Sequence, residues 1–246
     1  MFVWVSAEVK RELVRGEWVV DADIQSFFDT LDHELLMGLV ARRISDRRVL
    51  KLIRGWVKAG VLEGVEVQET ERGTPQGGVI SPLLANIYLH VLDSYWHREC
   101  THLGRLVRYA DDFVVVCASR AQAEKALAAI RTILARLKLR LHPEKMRLVP
   151  VREEGFDFLG FSIRKVRSRK SGKYAPLAWP SRKSMKRIRR KLHEATDRKW
   201  CMLGIEEVVM RLTPIIRGWC GYFRYSNANK KLQDLDRYGS TLFSVK

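Results

Sequence analysis

Cysteine is scarce in this sequence, and its four cysteines stand far apart. Cys100, Cys117, Cys201 and Cys220 include no C-x-x-C pair, which argues against a zinc site of the usual spacing. We expect these thiols to stay reduced and to pack as small hydrophobic side chains. The cysteine pattern therefore predicts a cytoplasmic protein.

Long apolar runs are also absent. No stretch approaches the ~20 residues that span a bilayer, and the opening residues MFVWVSAEVKREL lack the basic start, apolar stretch and cleavage site of a signal peptide. We therefore expect no membrane partner. The 246 residues, 46% of them hydrophobic, suffice for one large domain or two small ones with a sizeable core.

Acidic residues are few beside the basic ones, 28 against 45, for a formal charge of +17. Such a field favours polyanions, and a phosphate backbone is the commonest of them, although a solvated basic surface would give the same count. The excess is uneven, because residues 164–200 hold 15 Lys or Arg against two acids. We predict a mixed domain over residues 1–165 and a small basic helical domain over residues 166–246.

The pattern of hydrophobic residues places three aspartates in or next to predicted strands. An apolar run over residues 19–24 predicts a buried strand that contains Asp23. Residues 106–117 predict two strands that meet at Asp111 and Asp112, because β-branched residues flank this polar corner.

Apolar residues at helical spacing predict helices elsewhere. These helices are expected to begin near Ser81, Ser119 and Ser181. Residues 146–151 and 156–163 predict a hairpin, and the basic residues 164–173 predict a loop. Strands and helices alternate without a regular βαβ repeat, which indicates an α+β fold.

The aspartates suggest metal chemistry. Asp111 and Asp112 repel each other and are costly to half-bury without a nearby cation, and Asp23 has the same problem. If their strands lie side by side, the carboxylates can share Mg²⁺, which prefers hard oxygen ligands. Two such ions stabilise the attacking and leaving oxygens of phosphoryl transfer. For any one aspartate taken alone, capping a turn is the competing explanation.

Five sequence motifs decide between these explanations. They are, in chain order, WVVDADIQSFFDTLDH, RGTPQGGVISPLLANIYLHVLD, RYADDFVVV, LHPEK and FDFLGF. Together they closely resemble the successive palm motifs of reverse transcriptases of the group II intron type. Tyr-Ala-Asp-Asp alone is a weak signal, but with Gly-Thr-Pro-Gln-Gly-Gly at this spacing it is specific. The resemblance covers nearly the whole chain.

The resemblance implies a fold and an activity. The fold is a reverse-transcriptase palm, an antiparallel sheet with packed helices, followed by a basic helical thumb or maturase domain. The activity is RNA-directed DNA polymerisation by two-metal phosphoryl transfer, with a maturase role in splicing the RNA of a mobile intron. Mg²⁺ is the implied cofactor, with Mn²⁺ as an alternative. The implied partners are template or intron RNA, a DNA primer and dNTPs.

The resemblance also assigns the catalytic residues. Asp23, Asp111 and Asp112 match the metal ligands, with the carbonyl of Ile24 beside them. Lys145 matches a lysine near the leaving pyrophosphate and is a candidate proton donor; without the resemblance it would be an ordinary surface lysine.

Substrate contacts follow in the same way. Phe28 matches the aromatic gate under the incoming sugar, where its bulk would exclude a 2′-OH; the alternative is core packing, which we assign to Phe27 instead. The residues that match the loop against the nascent base pair are Gln76, Gly77 and Gly78. The segment 158–161 matches the primer-gripping hairpin, and it would equally serve as an ordinary core strand.

The C-terminal part resembles the thumb or maturase domain of intron-encoded proteins. A basic helix with few acids tracks phosphates, and the residues we assign to RNA binding are Arg187, Arg189, Arg190 and Lys191. Four aromatic residues could stack on bases or form the core of a helical bundle. They are Trp219, Tyr222, Phe223 and Tyr225.

One departure from the family keeps two functions open. Only 22 residues precede Asp23, whereas the fingers of the family precede the matching strand by well over a hundred residues. We expect a palm-plus-thumb piece, with a separately encoded fingers half as a candidate partner. The first function is RNA-directed DNA polymerase with a maturase role. The alternative is a truncated, non-catalytic RNA-binding splicing cofactor or an inert remnant.

Overall fold

The computed structural model describes residues 2–58, 62–63, 66–67, 80–197 and 204–244. The chain divides into two compact units. We call Gly16–Val149 the sheet unit, and Met1–Arg15 together with Pro150–Lys246 the terminal unit. The terminal unit combines both ends of the chain, so the two units are not separated at a single position of the sequence. The domain boundary between residues 165 and 166 stays a prediction.

The sheet unit is built on four strands, with the order β4-β5-β1-β6. They are β1 (Trp18–Ala22), β4 (Arg105–Tyr109), β5 (Asp112–Cys117) and β6 (Arg147–Pro150), and a short hairpin is formed by β2 (Leu62–Glu63) and β3 (Glu66–Val67). β5 pairs antiparallel with both β1 and β4. The two strands predicted to meet at Asp111 and Asp112 are confirmed. The strand predicted over residues 19–24 is present but ends at Ala22, so that Asp23 directly follows it and does not lie within it.

Helices pack against this sheet. They are α2 (Phe27–Thr30), α3 (His33–Ala41), α4 (Arg47–Lys58), α5 (Ser81–Tyr95), which runs on into a π-helical turn at Trp96–Cys100, and α6 (Arg120–Arg136). α6 lies on β1 and β5, and α5 contacts both α3 and α6. Asp32 caps α3 through the Leu35 amide, and Ser119 caps α6 through the Gln122 amide, as side-chain oxygens do at helix starts. The predicted start of α6 is confirmed.

The terminal unit joins a small sheet to helices. Its elements are α1 (Phe2–Glu12), β7 (Phe156–Phe158), β8 (Phe161–Arg167), β9 (Tyr174–Pro180), α7 (Arg182–Ala195), α8 (Ile205–Phe223) and α9 (Asn229–Ser244). The strand order is β7-β8-β9, and all pairs are antiparallel. α7 begins at its predicted cap, Ser181, and packs on α8 and α9. The α+β fold is confirmed.

The aromatic residues of α8 mostly form core. The Phe161 ring lies 5.3 Å from Tyr222 and 4.8 Å from Phe223, and Trp219 lies 4.7 Å from Phe223. The Tyr222 hydroxyl donates to the Leu159 carbonyl at 2.7 Å. Three of the four candidate stacking residues are therefore engaged in packing, and only Tyr225 is largely exposed, at 61%.

Two local predictions are wrong. Residues 146–151 and 156–163 do not pair with each other: β6 belongs to the four-stranded sheet and β7 pairs with β8. The amides of Glu153 and Glu154 both donate to the Pro150 carbonyl, at 3.0 Å each, and this tight turn separates the two strands.

The predicted loop over 164–173 is also shorter than expected. Arg164–Arg167 continue β8 because their register with β9 extends to the Arg167–Tyr174 pair. The turn covers only residues 168–173, where the Ser168 amide donates to the Lys173 carbonyl at 2.8 Å and Gly172 takes a φ of +67°. Basic composition indicated a loop, but repulsion is small between Arg164 and Arg167, whose side chains project into water.

Across the described segments, every helix is too short or too polar to cross a membrane.

Candidate active site

Strand register brings the predicted carboxylates to one end of the sheet. Ala22, the last residue of β1, pairs with Phe113, so that Asp23 follows beside Asp112, the first residue of β5. Asp111 lies in the two-residue turn between β4 and β5 and is half-buried. The three aspartates thus meet where β1 ends and the β4–β5 hairpin turns.

Lys145 reaches the same point through a backbone bridge. The Gln25 amide donates to the Arg140 carbonyl at 2.9 Å, and the His142 amide donates to the Asp23 carbonyl at 2.8 Å. This pairing sets the following turn beside the carboxylates. The ammonium group of Lys145 then donates to Oδ2 of Asp23 at 2.6 Å.

The charges of these residues influence one another. The protein atoms packed around its carboxylate raise the pKa of Asp112 above the ordinary value, and the negative charges of Asp111 and Asp23 raise it further, while Lys145 opposes them. The hydrogen bond to Asp23 and the charge of Asp23 raise the pKa of Lys145. The cluster therefore favours added positive charge, whether it comes from a proton, the lysine or a metal ion.

The donor set suits a divalent ion in its chemistry. Carboxylate oxygens are the hard ligands that Mg²⁺ prefers. The negative charges of Asp111 and Asp23 add to the packing around the Asp112 carboxylate in raising its pKa. Lys145 already binds Asp23 as a cation. Within the described segments, however, no group of three or more His, Cys, Asp or Glu side chains has the arrangement needed to coordinate a metal ion.

A buried arginine that sequence reasoning missed supports the carboxylate turn. Arg108, on β4, forms a two-pronged ion pair with Asp93 of α5, through Nε at 2.8 Å and through Nη2. Its Nη1 also donates to the Asn86 side chain at 3.0 Å and to the Ala110 carbonyl at 2.7 Å. Only 11% of the Arg108 side chain is exposed.

This arginine holds a turn that is conformationally costly. Ala110, which directly precedes the aspartate pair, has a φ of +54°, a left-handed conformation that costs a residue with a Cβ roughly 1–2 kcal/mol. The bond from Arg108 to the Ala110 carbonyl fixes this conformation. A charged residue in the interior of a strand was the sequence signal that could have identified Arg108.

The other predicted residues of the sheet unit differ in their placement. Ile24 is buried and bridges to Leu141. Phe28 is half-buried and meets the buried ring of Phe27 edge-on, with 5.2 Å between ring centroids. Gln76, Gly77 and Gly78 lie outside the described residues.

The predicted RNA-binding residues lie on α7 in the terminal unit. Arg187, Arg190 and Lys191 are exposed on the side of the helix away from its buried stripe, which consists of Met185, Ile188 and Leu192. Arg190 pairs with Glu194 at 3.6 Å. Arg189 lies on the flank of the helix, where its guanidinium group stands 5.7 Å from the centre of the Tyr238 ring.

The sheet unit has the organisation of a template-copying polymerase palm, because an antiparallel hairpin presents two adjacent aspartates beside a third on the neighbouring strand. Residues 5–163 match the family described as reverse transcriptase (RNA-dependent DNA polymerase), and the chain belongs to that family. Residues 185–241 match the maturase-specific domain of group II introns. The resemblance found in the sequence motifs is confirmed. Reverse transcriptases generally use divalent metal ions.

Individual relatives agree with this assignment. Protein YkfC of Escherichia coli strain K12 is 38% identical over 187 residues, which cover 63% of this chain and 49% of that protein. The group II intron-encoded protein LtrA of Lactococcus lactis subsp. cremoris is 48% identical over 87 residues, or 35% of this chain and 14% of LtrA. The chain therefore spans about half of the first relative and a smaller part of the second.

Solved structures resemble the fold. Apo telomerase from Candida tropicalis superposes with a TM-score of 0.53 at 13% identity, covering 91% of this chain and 44% of that chain. Telomerase from Candida albicans, in complex with a fragment of telomeric RNA, gives a TM-score of 0.50 at 15% identity, covering 98% of this chain and 46% of the other. At such identities the likeness concerns the fold alone.

Proposed function

We propose that this chain supplies the active site of an RNA-directed DNA polymerase of the group II intron type. The observation that carries the proposal is the convergence of Asp23, Asp111 and Asp112 where β1 meets the β4–β5 hairpin. Three carboxylates at the same end of the sheet repel one another, and a cation among them reduces that repulsion. An RNA template, a DNA primer and dNTPs are the proposed partners, with a separately encoded fingers half as a further candidate.

The residues would divide the work as follows. Asp23 and Asp111, with Asp112 assisting, would hold Mg²⁺ or Mn²⁺, which when bound would neutralise charge on the attacking and leaving oxygens of phosphoryl transfer. Lys145 would give up its bond to Asp23 and turn its ammonium group toward the leaving pyrophosphate, where it can donate a proton. The buried ring of Phe27 would hold Phe28 in position as the gate that excludes a 2′-OH.

Primer extension on an RNA template tests this proposal. Asp111→Asn should abolish extension, because the amide cannot neutralise a cation. Asp46→Asn is the matched control: Asp46 is exposed and caps the amide of Arg48 at 2.7 Å, a role that asparagine fills equally well. Loss of extension in both variants, or in neither, would contradict the assigned metal role.

A second function is RNA binding without catalysis, as in a splicing cofactor. The observation that favours it is the set of exposed basic residues on α7: Arg187, Arg189, Arg190 and Lys191. Phosphate attraction needs no metal, so Asp111→Asn should leave RNA affinity unchanged. Neutralising the four basic residues together should weaken binding and lower its salt dependence by about 0.7–0.9 units for each phosphate that is no longer neutralised. Unchanged salt dependence would count against this surface.

We also propose a cytoplasmic location. Cys100 and Cys117 are buried free thiols, and burial raises the pKa of Cys117 to about 12. A thiol of this kind is unreactive and suits a reducing compartment. Measuring the free thiol content of the protein isolated from cells under alkylating conditions would test this proposal, and disulfide-linked Cys117 would contradict it.

A further inference from the structure

One face of the small sheet in the terminal unit carries a row of residues that does not belong to its core. Asp157 pairs with Ser162, and Ser162 pairs with Trp179, so that three neighbouring strands align these residues side by side. Their strand neighbours Phe156, Phe161 and Ala178 are buried. Because side chains alternate along a strand, the row projects from the opposite face, where Trp179 and Ser162 are half-buried and Asp157 is exposed.

Helix α7 runs along this row and contributes a line of cations. Arg182, Lys186 and Arg189 recur at helical spacing on the flank of α7, and together with the row they line a cleft of about 580 Å³. Lys231, on α9, lines the same cleft and is half-buried. A volume of this size lies within the range of ligand-binding pockets. The cleft is separate from the outward side of α7, where Arg187, Arg190 and Lys191 lie.

The cleft has more positive charge than its own acid neutralises. Four cations line it against the single carboxylate of Asp157. In the segments that the structure describes, none of the four forms an ion pair with an Asp or Glu. Half-burying Lys231 among like charges is unfavourable unless an anion enters the cleft. The ligand should therefore carry several negative charges along its length.

Trp179 narrows the choice among anions. A half-buried indole beside unpaired cations combines a stacking platform with a phosphate track, which is how proteins bind single-stranded nucleic acid. A base inside a duplex cannot offer its face to Trp179. We propose that this cleft binds an unpaired segment of RNA, with a base stacked on Trp179 and phosphates held by Arg182, Lys186, Arg189 and Lys231. The proposal rests on the RNA-binding function proposed above.

Two matched pairs of measurements test the cleft. Fluorescence anisotropy would compare a labelled oligouridine RNA of twelve nucleotides with a blunt RNA duplex of the same length. Trp179→Leu should weaken oligouridine binding about 5- to 100-fold, the loss expected from one stacked base, and leave duplex binding within about twofold. The tryptophan quenching that accompanies oligouridine binding should also decrease, while the far-UV circular dichroism should match that of the wild type.

Lysine substitutions provide the second pair. Lys231→Gln should lower the salt slope of oligouridine binding by about 0.7. Lys230→Gln removes the same charge from the next position of α9, which is exposed and outside the cleft, and it should change the slope by less than half as much.

Each outcome has a definite meaning. The proposed binding of single-stranded RNA in the cleft would be contradicted by either of two results. One is an equal effect of Lys231→Gln and Lys230→Gln, and the other is an equal effect of Trp179→Leu on single-stranded and duplex RNA. Neither result would contradict RNA binding by α7. Failure of the wild-type chain to bind either RNA at low salt would overturn the proposed RNA-binding function itself, and the cleft with it. Weakening confined to single-stranded RNA and to the cleft variants would establish the site.

Discussion

Replacing Arg108 with alanine should loosen the turn that carries Asp111 and Asp112. The substitution removes the two-pronged pair with Asp93, the bond to Asn86 and the bond to the Ala110 carbonyl. Asp93 would keep its charge with 34% of its side chain exposed. Breaking a buried pair costs about 3–5 kcal/mol, and the partial exposure of Asp93 places our expectation at about 3 kcal/mol.

This magnitude can be checked by a thermodynamic cycle. A loss of about 3 kcal/mol corresponds to a fall of roughly 6–12 °C in the melting temperature of a chain of this size. Asp93→Ala should cost a similar amount, since it leaves Arg108 without its carboxylate. The double variant should cost about 1–3 kcal/mol less than the sum of the two, because neither charge is then left unpaired. Asn86→Ala removes only one neutral partner and should cost about 1.5 kcal/mol.

Hydrogen exchange would show whether the effect is local. The amides of residues 105–117 should exchange faster in Arg108→Ala than in Asn86→Ala, because the left-handed Ala110 loses the donor that fixes its carbonyl. Amides of α6, which packs on β1 and β5 but takes no part in the hydrogen bonds of Arg108, should change less. Additive costs in the cycle, or unchanged exchange over residues 105–117, would refute the claim that Arg108 holds this turn.

Three further predictions concern the carboxylate cluster. The folded protein raises the pKa of Asp112, so that protonation of Asp112 stabilises the fold at low pH and this stability is lost as the pH rises through the folded pKa. Asp112→Asn should therefore raise the melting temperature at pH 7 without metal. This gain should vanish below the ordinary Asp pKa of 3.8. An equal gain at pH 3 and pH 7 would contradict it. Lys145→Gln should tighten Mn²⁺ binding measured by calorimetry, since the ammonium group at 2.6 Å from Asp23 competes with the ion; weaker binding would mean that Lys145 assists the ion instead. Phe28→Ala should admit rNTPs during extension while RNA-template affinity stays constant, and an unchanged ratio of dNTP to rNTP use would place Phe28 in the core alone.

Much of the sheet unit could be predicted because its strands are short apolar runs with a polar interruption. The hairpin at Asp111 and Asp112 followed from β-branched residues on both sides, and the capped start of α6 followed from Ser119 and Gln122. The adjacency of Asp23 to that hairpin came from the family resemblance, because no local pattern states which strands pair. The structure supplies the register, Ala22 to Phe113.

The failures share a physical cause. Residues 146–151 and 156–163 have the composition of a hairpin. In the structure, however, β6 pairs with β1 at the edge of the four-stranded sheet, and β7 pairs with β8 instead. The basic residues of Arg164–Arg167 suggest a loop. In the structure they continue a strand in which Ile163 and Lys165 are buried while Arg164 and Arg167 project outward. Composition reports what a side chain prefers, whereas pairing depends on partners far away in the chain.

Lys145 acts as an exposed counter-ion for the carboxylate cluster. The proposed polymerase function requires carboxylates that can accept a metal ion, and a permanent partner would exclude that ion. Lys145 meets this requirement, since its pair with Asp23 is 59% exposed on the lysine side and is held from a turn rather than from a strand. Water screens an exposed pair of this kind, so that a divalent ion would be able to displace it. Arg108 is the opposite case, because its pair with Asp93 is partly buried and its bond to the Ala110 carbonyl holds the backbone of the turn. The site therefore combines a fixed cation that sets the turn, Arg108, with an exposed cation, Lys145, that the proposed metal ion would displace.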